Sequence, residues 1–248
     1  MNTYLIHPIV TGTKEFDKGM MTYQHDYGKP YTIPIYSWYL EGGGSKILVD
    51  TGEMHPILSE NRVRAIGGPI YTFEKGLERW DLKPDDIDIV IHTHLHNDHR
   101  ENDYKCEKAV FYIHQKELEH IANPHPLDFR YLEDFIFEIR DAGQIRPLTG
   151  DCEIAPGINV FHTPAHTEGG MSVAVNTPSG LAVITGFCCL LENFFPPPEV
   201  TAMEMEVIPP GTHVNVNEAY DIMCRVKKKA DILLPLHEPK FARIDTIG

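Results

Sequence analysis

The segment that decides the fold is IDIVIHTHLHNDH at residues 87–99, where an apolar run passes directly into a cluster of histidines. Isoleucine and valine dominate the first five positions, which is typical of a short strand buried in a sheet. Four of the 14 histidines of the chain lie at positions 92, 94, 96 and 99. Chance scatter rarely concentrates histidine in this way, so the segment favours a metal site at a strand end.

Within this cluster, His94 and His96 alternate in extended backbone, so their imidazoles can point the same way. Asp98 and His99 follow where the chain is expected to turn. Zn²⁺ accepts nitrogen and oxygen ligands, and three protein ligands leave a coordination position open for water. The alternative is a polar loop with incidental histidines, which the spacing of four ligand-type residues after a strand argues against. His92 precedes the pattern and is expected to pack within the strand.

Outward from this segment, short strands alternate with helices along the chain. Further strands are predicted at residues 33–40, 46–52, 109–114, 171–177 and 181–186. Residues 158–167 are predicted as a strand ending in a loop, and residues 230–239 as a last buried strand ending in a histidine. Helices are predicted with Phe73, Leu77 and Trp80 on one face, with Asn217 as N-cap, and with Asp128 as N-cap ahead of Leu132, Phe135, Ile136 and Ile139. This order predicts an α/β fold and a single domain over residues 1–248, with two sheets covered by helices.

Composition excludes several classes of protein. The 248 residues are 42% hydrophobic, which is enough for a full core, and 22 basic against 36 acidic residues give a net charge of −14. That charge argues against a nucleic-acid surface and against binding to anionic membranes. No run of 18 apolar residues and no signal peptide are visible. Five cysteines without a CxxC pair are typical of the reducing cytosol, so a cytoplasmic location is expected.

HLHNDH at residues 94–99 resembles the HxHxDH signature of the metallo-β-lactamase superfamily. Residues 50–52 (DTG) resemble an early turn of that family, residues 163–167 (TPAHT) resemble its TPGHT turn, and His237 resembles its last ligand. The resemblance runs from about residue 45 to residue 237. It implies a four-layer αββα sandwich with metal ions at one edge of the two sheets.

The resemblance also implies a ligand set. It implies that one metal is held by His94, His96 and His166, and a second by Asp98, His99 and His237. It implies two Zn²⁺ ions per chain, with Fe or Mn as alternatives. Asp50 is interpreted as a turn residue or a residue behind the ligands rather than as a ligand.

The chain departs from the family at the turn where dinuclear members carry a bridging Asp. Residues 185–189 read TGFCC, and Phe187 cannot ligate a metal. Cys188, one residue on, is the candidate replacement, because a thiolate suits Zn²⁺ and similar ions. Cys189 is a second candidate for this place. The remaining alternative is that neither cysteine binds metal and both are small buried side chains, in which case the second site weakens and the protein holds one metal.

The chain length and the ENF tripeptide at residues 192–194 are similar to the N-acyl-homoserine-lactone lactonase branch. The implied activity is that of a metal-dependent hydrolase that attacks a lactone, ester or related acyl bond with metal-bound hydroxide, which Asp98 orients. The catalytic Tyr of that branch is not matched, because Leu190 and Leu191 occupy its place. The reaction class is therefore predicted, but not the substrate.

The sequence is also compatible with a mononuclear iron oxidoreductase acting on a sulfur compound, a thioesterase, or a non-catalytic binding module on the same fold. The expected partner is a small-molecule substrate, and a homodimer is compatible with the sequence. The aromatic-rich residues 123–139 predict either a wall of the pocket or a core-facing helix. Tyr36, Trp38 and Tyr39 are expected in the core.

Overall fold

Two β-sheets lie at the centre of the structure, a computed structural model that describes residues 2–132 and 136–248. The first sheet contains, in spatial order, β1 (Leu5–Asp17), β2 (Pro30–Glu41), β3 (Ile47–Val49), β4 (Ile89–Ile91), β5 (Val110–His114) and β6 (Ile145–Leu148). The second sheet contains β7 (Cys152–Ala155), β8 (Ile158–His162), β9 (Met171–Thr177), β10 (Gly180–Ile184) and β11 (Ile232–Leu234).

The α-helices of the described residues lie in the connections between strands. Between β3 and β4 are α1 (Glu60–Ile66) and α2 (Phe73–Glu78), and between β5 and β6 are α3 (Gln115–Ala122) and α4 (Phe137–Asp141). Between β10 and β11 are α5 (Leu191–Phe194), α6 (Pro198–Thr201) and α7 (Val216–Lys229). None of the helices within the described ranges is long and apolar enough to cross a membrane.

The apolar clusters show how the layers stack. One buried cluster fills the space between the sheets, where Trp38 and Val49 of the first sheet meet Val173 and Ile184 of the second. A second cluster packs the other face of the first sheet against helices that include α2 and α3. A third packs the second sheet against α7. The predicted four-layer αββα sandwich is therefore confirmed.

Strand directions explain why the ligand-type residues gather. β3, β4 and β5 are parallel, so their carboxyl ends meet at one edge of the first sheet. In the second sheet β8 and β10 both run antiparallel to β9, and β11 runs parallel to β10, so these three strands share a direction. The main-chain N–H of Met171 donates to the carbonyl of Thr93 at 2.8 Å and joins the two sheets at this edge.

The helix around Phe73 and Leu77 is confirmed in part. Both side chains are fully buried in α2, but Trp80 lies beyond the end of the helix. There the Trp80 ring packs against the ring of His7, with 3.7 Å between their centroids. Tyr36 and Trp38 lie in the core, as expected.

The predicted N-cap Asn217 is wrong. The helix begins at Val216, and Asn215 is its cap, because the Asn215 side chain accepts a hydrogen bond from the main-chain N–H of Glu218 at 3.1 Å. Asn217 is exposed on the first turn.

The predicted helix after Asp128 is also wrong, because α4 begins only at Phe137. The carboxylate of Asp128 instead accepts hydrogen bonds from Arg130 and His96. Ile136 and Ile139 are buried as predicted, Leu132 is largely exposed, and Phe135 lies outside the described residues.

Candidate metal centre

Three histidines from two different sheets meet at the shared edge. His94, His96 and His166 each offer one ring nitrogen, and these atoms lie within 4.8 Å of one another. The three side chains are buried, and Nδ1 of His96 lies 3.1 Å from Nε2 of His166. Among the residues that the structure describes, no other group of three histidine, cysteine or acidic side chains comes this close together.

Neighbouring groups fix the orientation of each ring through its outer nitrogen. His94 Nδ1 lies 3.0 Å from the Thr93 hydroxyl, His96 Nε2 lies 3.1 Å from Asp128 Oδ2, and His166 Nδ1 donates to the carbonyl of Thr212 at 2.9 Å. Carbonyl and carboxylate oxygens only accept, so the nitrogens of His96 and His166 that face them carry the proton. The inward nitrogens therefore keep the lone pair that a metal requires.

The protonation states fit a metal as well. Burial and the neighbouring imidazoles lower the pKa of His94 and of His166 well below the ordinary value. Burial also lowers the pKa of His96, although the adjacent Asp128 opposes this effect. Three neutral imidazoles at this separation match the nitrogen ligation of Zn²⁺ and related divalent ions.

The second predicted group lines the same cavity as the first. Nδ1 of His237 donates to the carbonyl of Pro34 at 3.0 Å, so Nε2 is its available nitrogen. Burial and the nearby His99 lower the pKa of His237 to about 4. The rings of His99 and His237 lie 5.4 Å apart between centroids. Asp98, His99 and His237 are thus neighbours, although they are not part of the close group of ligand atoms.

Asp50 lies behind the histidine cluster, in agreement with its interpretation from the sequence. Its carboxylate accepts hydrogen bonds from the main-chain N–H and the hydroxyl of Thr93, at 2.8 and 2.7 Å. Burial opposes the ionisation of Asp50, but His99 and His92 outweigh it and lower the pKa to about 2. The turn at residues 50–52 requires glycine at position 52. Its φ is +71°, and a Cβ there would lie 1.7 Å from the Thr11 hydroxyl oxygen.

His92 is fully buried just after β4, where its Nε2 lies 2.9 Å from Asp103 Oδ2. Burial lowers the pKa of His92, but the charge and hydrogen bond of Asp103 outweigh this and raise it to about 9.

The two adjacent cysteines have different surroundings. Cys188 lines the cavity, and its Sγ lies 3.4 Å from Sδ of Met21. Burial raises the pKa of this thiol to about 12. Cys189 belongs to the third apolar cluster, with its Sγ 3.3 Å from the Thr185 hydroxyl. Cys188 is therefore the thiol placed beside the histidines, although it is not a member of the close group.

The cavity in front of the histidines has a volume of about 280 Å³. Its apolar lining is formed by Phe16, Met20, Met21, Ile33 and Phe129, and its charged lining includes Lys14, Glu101 and Arg130. Residues 129 and 130 confirm that the aromatic-rich segment contributes to the wall of the pocket, whereas Ile139 of the same segment lies in the core.

Sequence reasoning missed three residues at this site: Lys14, Asp128 as a partner of His96, and Glu117. Glu117 lies on α3 and accepts a hydrogen bond from the main-chain N–H of Leu95. The local pattern gives no signal for these roles, because the contacts of Lys14 with Glu53, of Asp128 with His96 and of Glu117 with Leu95 each span 22 or more residues of the chain.

A comparison with protein families agrees with the fold and with the histidine arrangement. Residues 31–186 match the family model described as the metallo-beta-lactamase superfamily. The chain therefore belongs to the metallo-β-lactamase superfamily.

Individual relatives within this family are metal-dependent hydrolases or lactonases by description. The chain is 29% identical over 164 residues to a probable metallo-hydrolase of Methanocaldococcus jannaschii, covering 66% of this chain and 63% of the relative. It is 27% identical over 176 residues to an N-acyl homoserine lactonase of Bacillus cereus, covering 64% of this chain and 65% of the relative. The chain thus matches less than two thirds of the length of these relatives.

A solved structure extends the similarity over nearly the whole fold. It is an N-acyl homoserine lactone hydrolase with the product N-hexanoyl-L-homoserine bound at its catalytic metal centre. The two structures superpose with a TM-score of 0.74 at 25% identity, covering 96% of this chain and 94% of the other.

Proposed function

We propose that this protein is a metal-dependent hydrolase that cleaves a lactone, ester or related acyl bond of a small molecule. The observation that carries the proposal is the buried group of His94, His96 and His166, with their inward nitrogens within 4.8 Å of one another. The group faces a cavity of about 280 Å³, which is large enough for a small acyl compound. The lactonases among the relatives and the neighbouring structure with bound product support the same reaction class.

The proposed metal site has two parts. His94, His96 and His166 hold one ion, and Asp98, His99 and His237 hold a second, with Cys188 completing it where the family has a bridging Asp. We propose Zn²⁺ for both positions, with Fe or Mn as alternatives. Bound there, the metal supplies Lewis acidity toward a carbonyl and lowers the pKa of water into the neutral range.

The chain's own residues supply binding and proton handling. Burial opposes the ionisation of Asp98, but the adjacent His99 outweighs it and lowers the pKa of Asp98. Asp98 is therefore a carboxylate at the cavity wall, where it can accept a hydrogen bond from the attacking water and orient it. The apolar side chains of Phe16, Met21 and Ile33 give the hydrocarbon part of the substrate a surface from which water is excluded.

A mononuclear iron oxidoreductase acting on a sulfur compound is the second candidate. It is favoured by the observation that, in the described part of the chain, the close group contains three ligands and does not include Cys188. A single ion held by that group would fit this alternative.

We also propose that residues 1–248 act as one domain, because a single apolar cluster contains side chains from both sheets. The cytoplasmic location and the homodimer stay predictions.

Metal analysis combined with a substrate panel tests the proposal. The purified protein should contain zinc and release acid from members of a panel of lactones, esters and thioesters. His94→Ala should lose metal and nearly all activity, whereas the control His55→Ala, at an exposed position, should retain both. A wild-type protein with one iron per chain and thiol-dependent oxygen uptake would instead support the oxidoreductase.

A further inference from the structure

One buried carboxylate outside the histidine motif connects the segments that carry the proposed ligands. Glu117 on α3 is only 1% exposed. Its Oε2 accepts hydrogen bonds from the main-chain N–H of Leu95 and from the hydroxyl of Tyr131, both at 2.8 Å. Its Oε1 accepts a hydrogen bond from the main-chain N–H of Gly169 at 3.1 Å. A carboxylate is tolerated at such depth only when hydrogen bonds replace its hydration, so these contacts account for its burial.

The two main-chain donors lie in the two segments that carry the histidines. Leu95 lies between His94 and His96 in the segment after β4 of the first sheet. Gly169 lies three residues after His166, in the connection between β8 and β9 of the second sheet. Glu117 therefore joins the two ligand-bearing segments through a single side chain. The ring nitrogens of His96 and His166, which these two segments carry, lie 3.1 Å apart.

Tyr131, the third donor to Glu117, contacts His96 through its aromatic ring. The Tyr131 ring packs edge-on against the His96 ring, with 4.8 Å between centroids. The hydrogen bond from Tyr131 to Glu117 fixes where that ring lies. His96 is thus supported by Glu117 along its backbone and, through Tyr131, on one side of its imidazole.

The chain makes room for this carboxylate at Gly169. A Cβ at Gly169 would lie 2.7 Å from both Oε1 and Cγ of Glu117, closer than real Cβ contacts. Glycine at this position is what allows the backbone to approach the carboxylate and donate to it.

We propose that Glu117 is a positioning residue that sets the geometry of the metal site by joining the His94–His96 segment to the His166 segment. The inference rests on the proposed function, because it requires that the three histidines hold a metal. Glu117 touches neither the metal nor the substrate, and it acts only through Leu95, Tyr131 and Gly169.

Equilibrium titration of the metal-free full-length protein with Co²⁺ tests this role, with the Co²⁺ absorption spectrum as a second readout. Glu117→Gln keeps the shape of the side chain but replaces one acceptor oxygen with an amide N–H₂ group, which cannot accept a hydrogen bond from the surrounding donors. It should weaken binding of the first ion by about 10-fold or more, the usual effect of removing a group that supports a ligand. The Co²⁺ spectrum should change as well, because the ligand angles change.

Glu119→Gln is the matched control, since Glu119 is an exposed residue on the same helix. It should bind Co²⁺ with the affinity and spectrum of the wild type. Tyr131→Phe removes one of the three donors but keeps the ring, and it should weaken binding by a smaller factor than Glu117→Gln. Melting temperatures of the metal-free variants separate a general loss of stability from an effect on the site.

Wild-type affinity and an unchanged spectrum in Glu117→Gln would overturn the inference, even if its melting temperature fell. Should Glu117→Gln not fold, Tyr131→Phe decides the matter, and wild-type affinity in that variant overturns the inference. If the wild-type protein binds no Co²⁺, both the proposed function and this inference fail. If the wild type and every variant bind Co²⁺ equally well, only the inference about Glu117 fails.

Discussion

The carboxylate of Asp50 accepts a hydrogen bond from Nδ1 of His99 at 2.8 Å, and both side chains are buried. The same carboxylate accepts two hydrogen bonds from Thr93, the residue before His94. Asp50 follows β3 and Thr93 follows β4, so the pairing joins neighbouring parallel strands where they end. It orients His99 with Nε2 as its available nitrogen.

Replacement of Asp50 by Asn tests the importance of this carboxylate. An amide offers one acceptor oxygen where three donors converge, and its N–H₂ faces other donors. We expect Asp50→Asn to lower the free energy of unfolding by about 2 kcal/mol or more, because buried donors lose their partner. Urea denaturation of the metal-free protein measures this. Asp221→Asn, on the exposed face of α7, is the control, and equal stability of the two variants would contradict the prediction.

The neighbouring thiols provide a matched pair for the second metal position. Cys188 lines the cavity, whereas Cys189 packs in the third apolar cluster. We expect Cys188→Ser to lose one metal per chain and Cys189→Ser to keep both. Cobalt-substituted protein should show a thiolate-to-metal charge-transfer band that disappears only in the Cys188 variant.

Burial raises the pKa of the Cys188 thiol to about 12, so the thiolate forms only if a bound cation stabilises it. If both serine variants keep full metal content and the cobalt protein lacks the band, Cys188 is a packing residue. Its contact with Met21 then accounts for its burial.

The start of α7 gives a stability prediction with its own control. The Asn215 side chain accepts from the main-chain N–H of Glu218, whereas Asn217 is exposed in the first turn. Asn215→Ala should therefore lower the free energy of unfolding by about 1 kcal/mol. Asn217→Ala should leave it unchanged or raise it by a few tenths of a kcal/mol, roughly the difference in helix propensity. The reverse order in chemical denaturation would contradict the assigned cap.

Asp26 should contribute to stability in a pH-dependent way. Hydrogen bonds from Lys18 and Lys29 lower the pKa of Asp26 from 3.8 to about 2. A carboxyl group whose pKa is lower in the folded state adds stability above the unfolded value, and this is lost as the pH falls through the folded value. The contribution should therefore be present above about pH 4 and disappear toward pH 2.

Asp26→Asn should lower the free energy of unfolding by about 1 kcal/mol at pH 7, after allowance for screening by solvent. The difference from the wild type should shrink between pH 4 and pH 2. Denaturation of the metal-free proteins at several pH values measures it. A difference that stays constant down to pH 2 would show that Asp26 acts through something other than its charge.

The closeness of His94 and His96 could be predicted from the sequence because the relevant information is local. Residues 87–99 contain both a buried strand and the alternation that turns His94 and His96 to one side. The parallel order of β3 and β4 then brings the turn at Asp50 beside them. Strand ends and short spacings are features that a sequence displays directly.

Other features could not be predicted from the sequence. Some depend on contacts between residues far apart in the chain, and others on a choice between nearby residues that suit the same role equally well. Glu117 is an unremarkable helix residue by pattern, and its role depends on donors in three separate segments. Asn215 and Asn217 both suit an N-cap, and only the packing of α7 decides between them. The sequence does not predict β1, because Pro8 and Gly12 interrupt its apolar pattern. In the structure β1 pairs with β2 along its full length, with a bulge near Gly12.

The meeting of His96 and His166 at the junction of the sheets has a consequence for how long the folded protein survives. An ion shared by these two residues would close a loop of 70 residues and tie the first sheet to the second. By mass action, free metal at 100 times the dissociation constant would add about 2.7 kcal/mol to the folding free energy. Resistance to heat and to proteases would then rise and fall with metal supply, so that a cell short of metal would lose the protein as well as its activity.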